Sequence, residues 1–230
     1  MGFNNGLIAL FMGNNKPNKQ IEGIRITTSA INSDITYIYP PTFYKNIRKV
    51  NIYIWSSSAG ALGKDTGGGG GGFMLLQLIL RPYETCVATM RTNNTTTAGY
   101  FRITFKGNTY QVNQGGNGNV NNGGTVVTNF VQTDYAKVLA YENGQNGDGN
   151  KGGNVGGISY LYNLYTSTYA SQLYGIGGQN SYNGYTNTSN NGRPPGGGAY
   201  DDNSGTTIGA GAILFIPEYC TNIPTTSILI

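Results

Sequence analysis

Six consecutive glycines, Gly67–Gly72, run directly into the most apolar stretch of the chain, Phe73-Met74-Leu75-Leu76-Gln77-Leu78-Ile79-Leu80. Glycine loses more conformational entropy on ordering than any other residue, so an ordered run of this kind needs a buried partner surface. Two readings compete: a flexible linker, or extended polyproline-II-like strands that pack closely because no side chain intervenes. A linker is not expected to lead straight into a buried strand, and the packed reading is preferred. The run satisfies G-x-G-x-x-G only trivially and precedes a strand rather than a helix, so it is not a phosphate loop.

Around this run the hydrophobic period is two, the mark of half-buried strands. Ile24, Ile26 and Thr28 alternate with polar neighbours, as do Ile35, Tyr37 and Tyr39. Pro40-Pro41 ends that strand, because proline cannot sit in a central one. Val50, Ile52 and Ile54 alternate next, and the apolar run after the glycines is broken at Arg81-Pro82 before continuing to Met90. Tyr100 to Phe105 and Thr109 to Val112 flank a turn at Lys106-Gly107-Asn108, and Thr125 to Tyr141 is strand-like between Asn/Gly-rich segments at 113–124 and 143–157. Tyr160 to Tyr174 reads as a short helix or as a strand with tyrosines on one face. Residues 175–207, almost without aliphatics, read as a large surface loop system. Ala210 to Ile216 is a buried strand ended by Pro217. The pattern predicts an all-β, antiparallel fold in one domain over 21–220, with an arm or linker at 1–20 and an apolar tail at 221–230.

Charged residues make up only 10% of the chain, whereas 37 residues are Gly and 18 are Tyr. Such a surface dissolves through amides, hydroxyls and backbone, as durable assemblies and sugar-facing surfaces do. The net charge of +4 is scattered, with Arg48-Lys49 the tightest pair, so no basic face for nucleic acid is expected. Histidine is absent, which removes the commonest general base and metal ligand together with any Ser/His or Cys/His nucleophile. Asp201-Asp202 reads as a solvated turn, and Asn146-Gly147-Asp148-Gly149-Asn150 resembles a calcium loop only superficially, lacking the downstream Glu. Cys86 and Cys220 have no metal-ligand spacing and read as small buried thiols, with a disulfide between them left open. No catalytic residue, metal or cofactor is assigned. The start lacks a basic n-region and its apolar stretch is short, so no signal peptide is read. No run reaches the length of a membrane helix. The sequons at Asn93, Asn94 and Asn187 are taken as accidental.

The order of these signals carries a resemblance. A strand ending at Pro40-Pro41 leads to Val50-Asn51-Ile52-Tyr53-Ile54-Trp55; a small-residue stretch and Gly67–Gly72 follow, then an apolar strand and Pro82-Tyr83-Glu84-Thr85. Arg193-Pro194-Pro195-Gly196-Gly197-Gly198 and Gly209-Ala210-Gly211-Ala212-Ile213-Leu214-Phe215 come late in the chain. Over about residues 30–219 this resembles the glycine-rich domain of phage tail-fibre and giant-virus proteins. A similar module occurs in anaplastic lymphoma kinase-type receptors. The resemblance implies an antiparallel β-sandwich of jelly-roll or TNF-like type with Gly/Asn-rich loop insertions, some of them polyproline-II-like glycine strands. It places Ile52, Ile54, Phe73, Leu75, Leu78, Leu80, Ile213 and Phe215 together in the sandwich core. Ser57, Ser58 and Ala59 stand where the family has glycines, Tyr83 follows Pro82 where it has Gly, and Asn- and Tyr-rich sequence replaces several later glycine segments. These departures argue against a large polyglycine lattice.

Tyr160, Tyr162, Tyr165, Tyr169, Tyr174, Tyr182, Tyr185 and Tyr200 concentrate late in the chain. A tyrosine offers a flat apolar face with a polar tip. A subset is expected to bind a host-surface glycan or protein, while the rest pack as spacers against glycine backbone. Leu7, Ile8, Leu10 and Phe11 at one end and Ile228, Leu229 and Ile230 at the other are apolar termini. Burying each such side chain contributes roughly 1.5–3 kcal/mol, so the termini are expected to hold a homo-oligomer. A trimer is favoured by analogy with TNF-like and fibre proteins. The alternative is that both arms fold back on their own sheets. The expected function is a non-enzymatic virion component assembled in the host cytoplasm with other virion proteins: a tail-fibre tip, capsid or surface-fibre part, structural or adhesive. A cellular or secreted receptor-type binding module, the second reading, would show a signal peptide and paired cysteines. An enzyme on a β scaffold is the third.

Overall fold

The computed structural model describes residues 21–28, 33–39, 48–58, 66–92, 99–116, 122–201 and 209–230. Leu7, Ile8, Leu10, Phe11, Pro40, Pro41, Asn93, Asn94 and Asp202 lie outside them. The strands are β1 (Ile21–Glu22), β2 (Ile24–Thr27), β3 (Ile35–Tyr39), β4 (Arg48–Trp55), β5 (Thr66–Gly67), β6 (Phe73–Leu80), β7 (Cys86–Arg91), β8 (Tyr100–Phe105), β9 (Asn108–Asn113) and β10 (Ala136–Glu142). Helices α1 (Ile158–Leu164) and α2 (Thr166–Gln172) follow. The chain then forms β11 (Ser181–Tyr182), β12 (Tyr185–Thr186), β13 (Tyr200–Asp201), β14 (Ala212–Pro217), β15 (Cys220–Asn222) and β16 (Ile228–Leu229). The protein is mostly β, as its period-two runs predict. Thr125 to Tyr141 is a strand only from Ala136 onward; before that it carries isolated bridges at Val126 and Thr133.

Two large sheets carry the structure. One has six strands in the order β10-β6-β4-β14-β2-β16, and the other has four in the order β3-β7-β8-β9. Their pairings are antiparallel except that β16 runs parallel to β2. One face of each sheet meets in a common core: Ile52, Ile54, Met74, Leu76, Leu78, Ile213 and Phe215 from the first, Ala88, Met90, Phe101, Ile103, Tyr110 and Val112 from the second. Alternation in the four-stranded sheet is clean along β8, where Phe101, Ile103 and Phe105 are buried and Tyr100, Arg102 and Thr104 are half-buried.

The six-stranded sheet is buried on its other face too. Trp55, Phe73, Leu75 and Leu214 point away from the first core and pack against Val155, Ile158, Leu161, Tyr165, Tyr169, Tyr174 and Ile176. This explains why β6 reads as a continuous apolar run rather than an alternating one. It also corrects the expected single core: Phe73 and Leu75 belong to a second core, under the two helices. Helix α1 turns Ile158 and Leu161 into this core, helix α2 turns Tyr169 into it, and Tyr165 enters it from the break between the two helices.

The glycine segments form a third body, at the end of the sheets where β4 finishes and β6 begins. Backbone N–H groups of Gly68 and Gly71 donate to Ala199 and Gly196, those of Gly69 and Gly72 to Gly116 and Asn113, and that of Gly70 to Gln145. Residues three apart therefore bond the same neighbouring segment. That rotation of three residues per turn, with no hydrogen bond inside the segment, is the signature of a polyproline-II helix. Carbonyls of the run accept in the same rhythm, Gly68 from Gly153 and Gly71 from Gly156, while Gly70 accepts from Gly124 and Gly72 from Ser56. The run is thus surrounded by segments from 56–58, 113–116, 122–124, 143–147, 152–156 and 196–199. Outside this ring, Gly177, Gly178 and Gly192 continue the same contacts against Gly152, Gly197 and Gly198.

This lattice corrects two expectations. The departures from glycine do not prevent a large lattice, and the described part of 175–207 is a surface loop only in part: Ile176 to Gly178 and Pro195 to Ala199 are buried in the lattice, while most of 181–191 is exposed or half-exposed. The substituting residues fit because their side chains repeat backbone chemistry. The Asn154 side-chain oxygen accepts from Gly177 N–H while its amide donates to the Ser181 carbonyl, and the Asn180 and Asn187 amides donate to the carbonyls of Gly152 and Gly177. Ser56 donates through its hydroxyl to the Asn113 carbonyl and accepts from Gly72 N–H. At these positions a side-chain amide or hydroxyl bonds a lattice peptide group directly.

Candidate functional site

The tyrosines of the last third were expected to supply a binding surface, and the structure brings most of them together, but inward. Tyr165, Tyr169 and Tyr174 are buried, and Tyr160, Tyr162, Tyr182 and Tyr185 are half-buried against the same core. Tyr162 makes edge contacts with Tyr169 at 5.2 Å and Tyr182 at 6.4 Å, and Tyr185 meets Tyr169 at 5.3 Å. Tyr160 packs on Phe73 at 4.9 Å. Tyr200 stands on β13, paired with Gly67 of the lattice.

Hydroxyls of the buried members are bonded to backbone. Tyr169 donates to the Tyr174 carbonyl, Tyr165 to that of Pro224 and Tyr174 to that of Thr225. Burial pushes Tyr169 far above the ordinary tyrosine range, and it pushes Tyr165 up as well despite the opposing Arg25 charge. Neither is placed to transfer a proton near neutral pH. Arg25, almost fully buried, lies over the Tyr165 and Tyr174 rings at 5.6 and 5.3 Å and donates to the Thr225 carbonyl. Three side chains thus clasp the peptide at 224–225, which straps the C-terminal segment over the second core. Beyond the strap, β16 pairs with β2, Ile230 donates its N–H to Thr27 and packs on the first core, and Ile228 and Leu229 are exposed. β15 crosses the boundary expected at 220 and pairs with β1.

Other candidate chemistry resolves into structure. The Asp148 carboxylate accepts from the N–H groups of Asn150 and Lys151, which closes a local turn. Asn187 is fully buried and its amide donates to the carbonyls of Gly177 and Asn191, so this sequon offers no acceptor to a glycosylating enzyme. Cys86 and Cys220 are free, with Cys86 buried in the first core and its thiol pushed up to about 12 by burial. Among the described residues no group of three or more acidic, Cys or His side chains converges to hold a metal, and no helix is long and apolar enough to cross a membrane.

The two most exposed aromatic side chains described lie at the end opposite the lattice. There β4 begins, β6 and β14 finish, and the turns 81–85, 106–107 and 218–219 cluster: Leu80 pairs with Arg48, Pro217 with Val50, and Glu218 N–H donates to the Lys49 carbonyl. Ion pairs tie the turns together, Lys106 to Glu84 at 2.8 Å and Lys49 to Glu218 at 3.8 Å. Tyr83 and Tyr219, on two of these turns, are 78% and 81% exposed, more than any other large apolar or aromatic side chain described. Sequence reasoning passed over both, although Tyr83 carried a signal in standing where Gly was expected after Pro82. No family model matches the chain, and no curated protein or solved structure matches it.

Proposed function

We propose that the chain is a non-enzymatic structural or adhesive component of a virus particle, of the glycine-rich kind found in phage tail tips and giant virions. The glycine lattice is the observation that carries this reading. It places long segments of low-complexity sequence in a buried body bonded mainly backbone to backbone, with a few Asn and Ser side chains completing it, which suits a durable particle part. The charge-poor surface and the conversion of tyrosine hydroxyls into structural bonds support the absence of catalysis. The two sheets are read as a sandwich of jelly-roll or TNF-like type. In support, β14 arrives by a long connection to lie between β2 and β4, as the returning strand of a Greek key does. The chain is further proposed to assemble as a homo-oligomer, a trimer favoured, beside other virion proteins made in the same cytoplasm. The receptor-type alternative calls for paired cysteines, and both cysteines here are free. Antibodies against the folded chain, applied to purified particles in the electron microscope, test the reading. Labelling of the particle surface is expected, and chain that stays wholly in the particle-free fraction would overturn it.

A further inference from the structure

We infer that the turns opposite the glycine lattice form a carbohydrate-binding face on which Tyr83 and Tyr219 are the stacking platforms; this rests on the adhesive reading and locates it away from the tyrosines of the last third. The primary observation is backbone conformation. Arg81-Pro82-Tyr83-Glu84 is a turn closed by Glu84 N–H donating to the Arg81 carbonyl, with Tyr83 at φ 66°. Proline fixes a negative φ at the second position, so a positive φ at the third makes this a type II turn, whose third position is ordinarily Gly or Asn. Tyr219 has φ 63° in the turn between β14 and β15. A bulky side chain in the left-handed region is a true outlier, and such strain concentrates at functional sites.

Burial does not offset the strain. Each ring is more than three-quarters exposed, so neither gains burial energy in return. Nor is the chain short of suitable residues: it has 37 glycines, and it uses Asn183-Gly184 at φ 49° and 82° in the turn between β11 and β12. Two tyrosines held upright at costly positions, on turns that share one end of the molecule, answer to something outside it.

The surroundings select the partner. β6 and β14 flank β4, and strands in a sheet lie about 4.8 Å apart, so the two turns leave the sheet roughly 10 Å from each other. Between and beside the rings stand Lys49 with Glu218 and Lys106 with Glu84, whose charges cancel pairwise. A protein partner of ordinary affinity needs about 800 Å² of continuous surface with an apolar centre, which two separate rings among ion pairs do not provide. A sugar chain needs an aromatic face for each ring's C–H side and charged or amide groups for its hydroxyls. Arg81, exposed on the Tyr83 turn, adds one cation; with the other two cations paired to carboxylates, the nearly balanced charge favours neutral oligosaccharides over acidic ones.

Glycine is the decisive substitution, because it relieves the turn while removing the ring. Full-length parent, Tyr83→Gly, Tyr219→Gly and the double variant are passed over immobilised panels of neutral and of acidic oligosaccharides, and their thermal midpoints are measured. The parent is expected to be retained by neutral sugars. Each single variant should bind at least ten-fold more weakly and the double variant not detectably, with midpoints equal to or above the parent's. A double variant that binds as the parent does overturns this location and leaves the adhesive reading standing. A parent retained by no sugar, or preferentially by acidic ones, overturns the ligand class, while particle labelling independently tests the role in the virion.

Discussion

Gly70 shows at the scale of one residue why the lattice admits so little variation. A Cβ there would fall well inside the carbonyl oxygen of Asn154, and at Gly71 it would fall inside that of Ser56. Both obstacles are backbone, held in turn by the segments behind them, so neither can swing aside as a flexible side chain could. Overpacking a core typically costs 1–3 kcal/mol when side chains can give; here Gly70→Ala is expected to cost at least about 3 kcal/mol, or roughly 6–12 °C in Tm for a chain of this size. Gly184→Ala provides the contrast. It meets nothing within 4 Å but sits at φ 82°, so only the left-handed conformation opposes it, at about 1–2 kcal/mol. Urea unfolding of both variants checks the order, and equal losses would mean that the close backbone approach is not what the glycines serve.

Among the elements, the C-terminal strap and the sheet edges decide how the chain meets its copies. Edge strands invite pairing with another chain, and β10 is guarded: the Gln132 side chain accepts from Val138 N–H and donates to the Val138 carbonyl, and a bulge between Val138 and Ala140 breaks the register beside it. On the opposite edge the chain's own β16 occupies β2. Deleting residues 222–230 would strip the acceptors from Arg25, Tyr165 and Tyr174, and each buried group left unsatisfied costs about 1–3 kcal/mol. The truncated chain is therefore expected to unfold several kcal/mol more easily, roughly 3 or more, yet to keep the parent's mass in solution, because this segment bonds to its own sheet. Light scattering and urea unfolding check the two halves separately. A change of mass would return Ile228, Leu229 and Ile230 to the role of intersubunit glue.

The whole molecule has an asymmetric response to pH. Burial pushes Tyr39 up to about 12, with Arg48 opposing, and pushes Cys86 to about 12 and Tyr169 higher still. In the unfolded chain these groups ionise near 9.0 for the thiol and 10.0 for the phenols. Above about pH 9 the unfolded state therefore releases protons that the folded state keeps, and stability falls from there through about pH 12. Below pH 9 their contribution is fully present, and without histidine the chain lacks the one side chain whose ordinary charge change falls between pH 5 and 8. The urea midpoint is expected to be flat from pH 6 to 9 and to drop steeply between 9 and 11; a midpoint that holds at pH 11 would show that these side chains reach solvent. The two ends of the molecule also differ in kind, with the lattice built from backbone and the turn end from exposed rings and ion pairs.

Local chemistry alone determined the strands: period-two runs at Ile24, Ile35, Val50 and Tyr100 each became one, and Gly67–Gly72 was legible as a packed polyproline-II segment because its apolar sequel demanded an ordered neighbour. Tertiary structure decided everything that depends on what lies opposite. Whether Asn154, Asn187 or Ser56 breaks the lattice or completes it turns on whether a bare peptide group faces the side chain, which no spacing in the sequence records. Tyr165 and Tyr169 look like Tyr83 and Tyr219 in the sequence, yet the first pair lies beneath two helices and the second stands on strained turns. A ring's role follows from the face it meets, and that face is assembled from segments more than a hundred residues apart, as Arg25 and the strap, Ser58 and Gly209, or Gly68 and Ala199 are here.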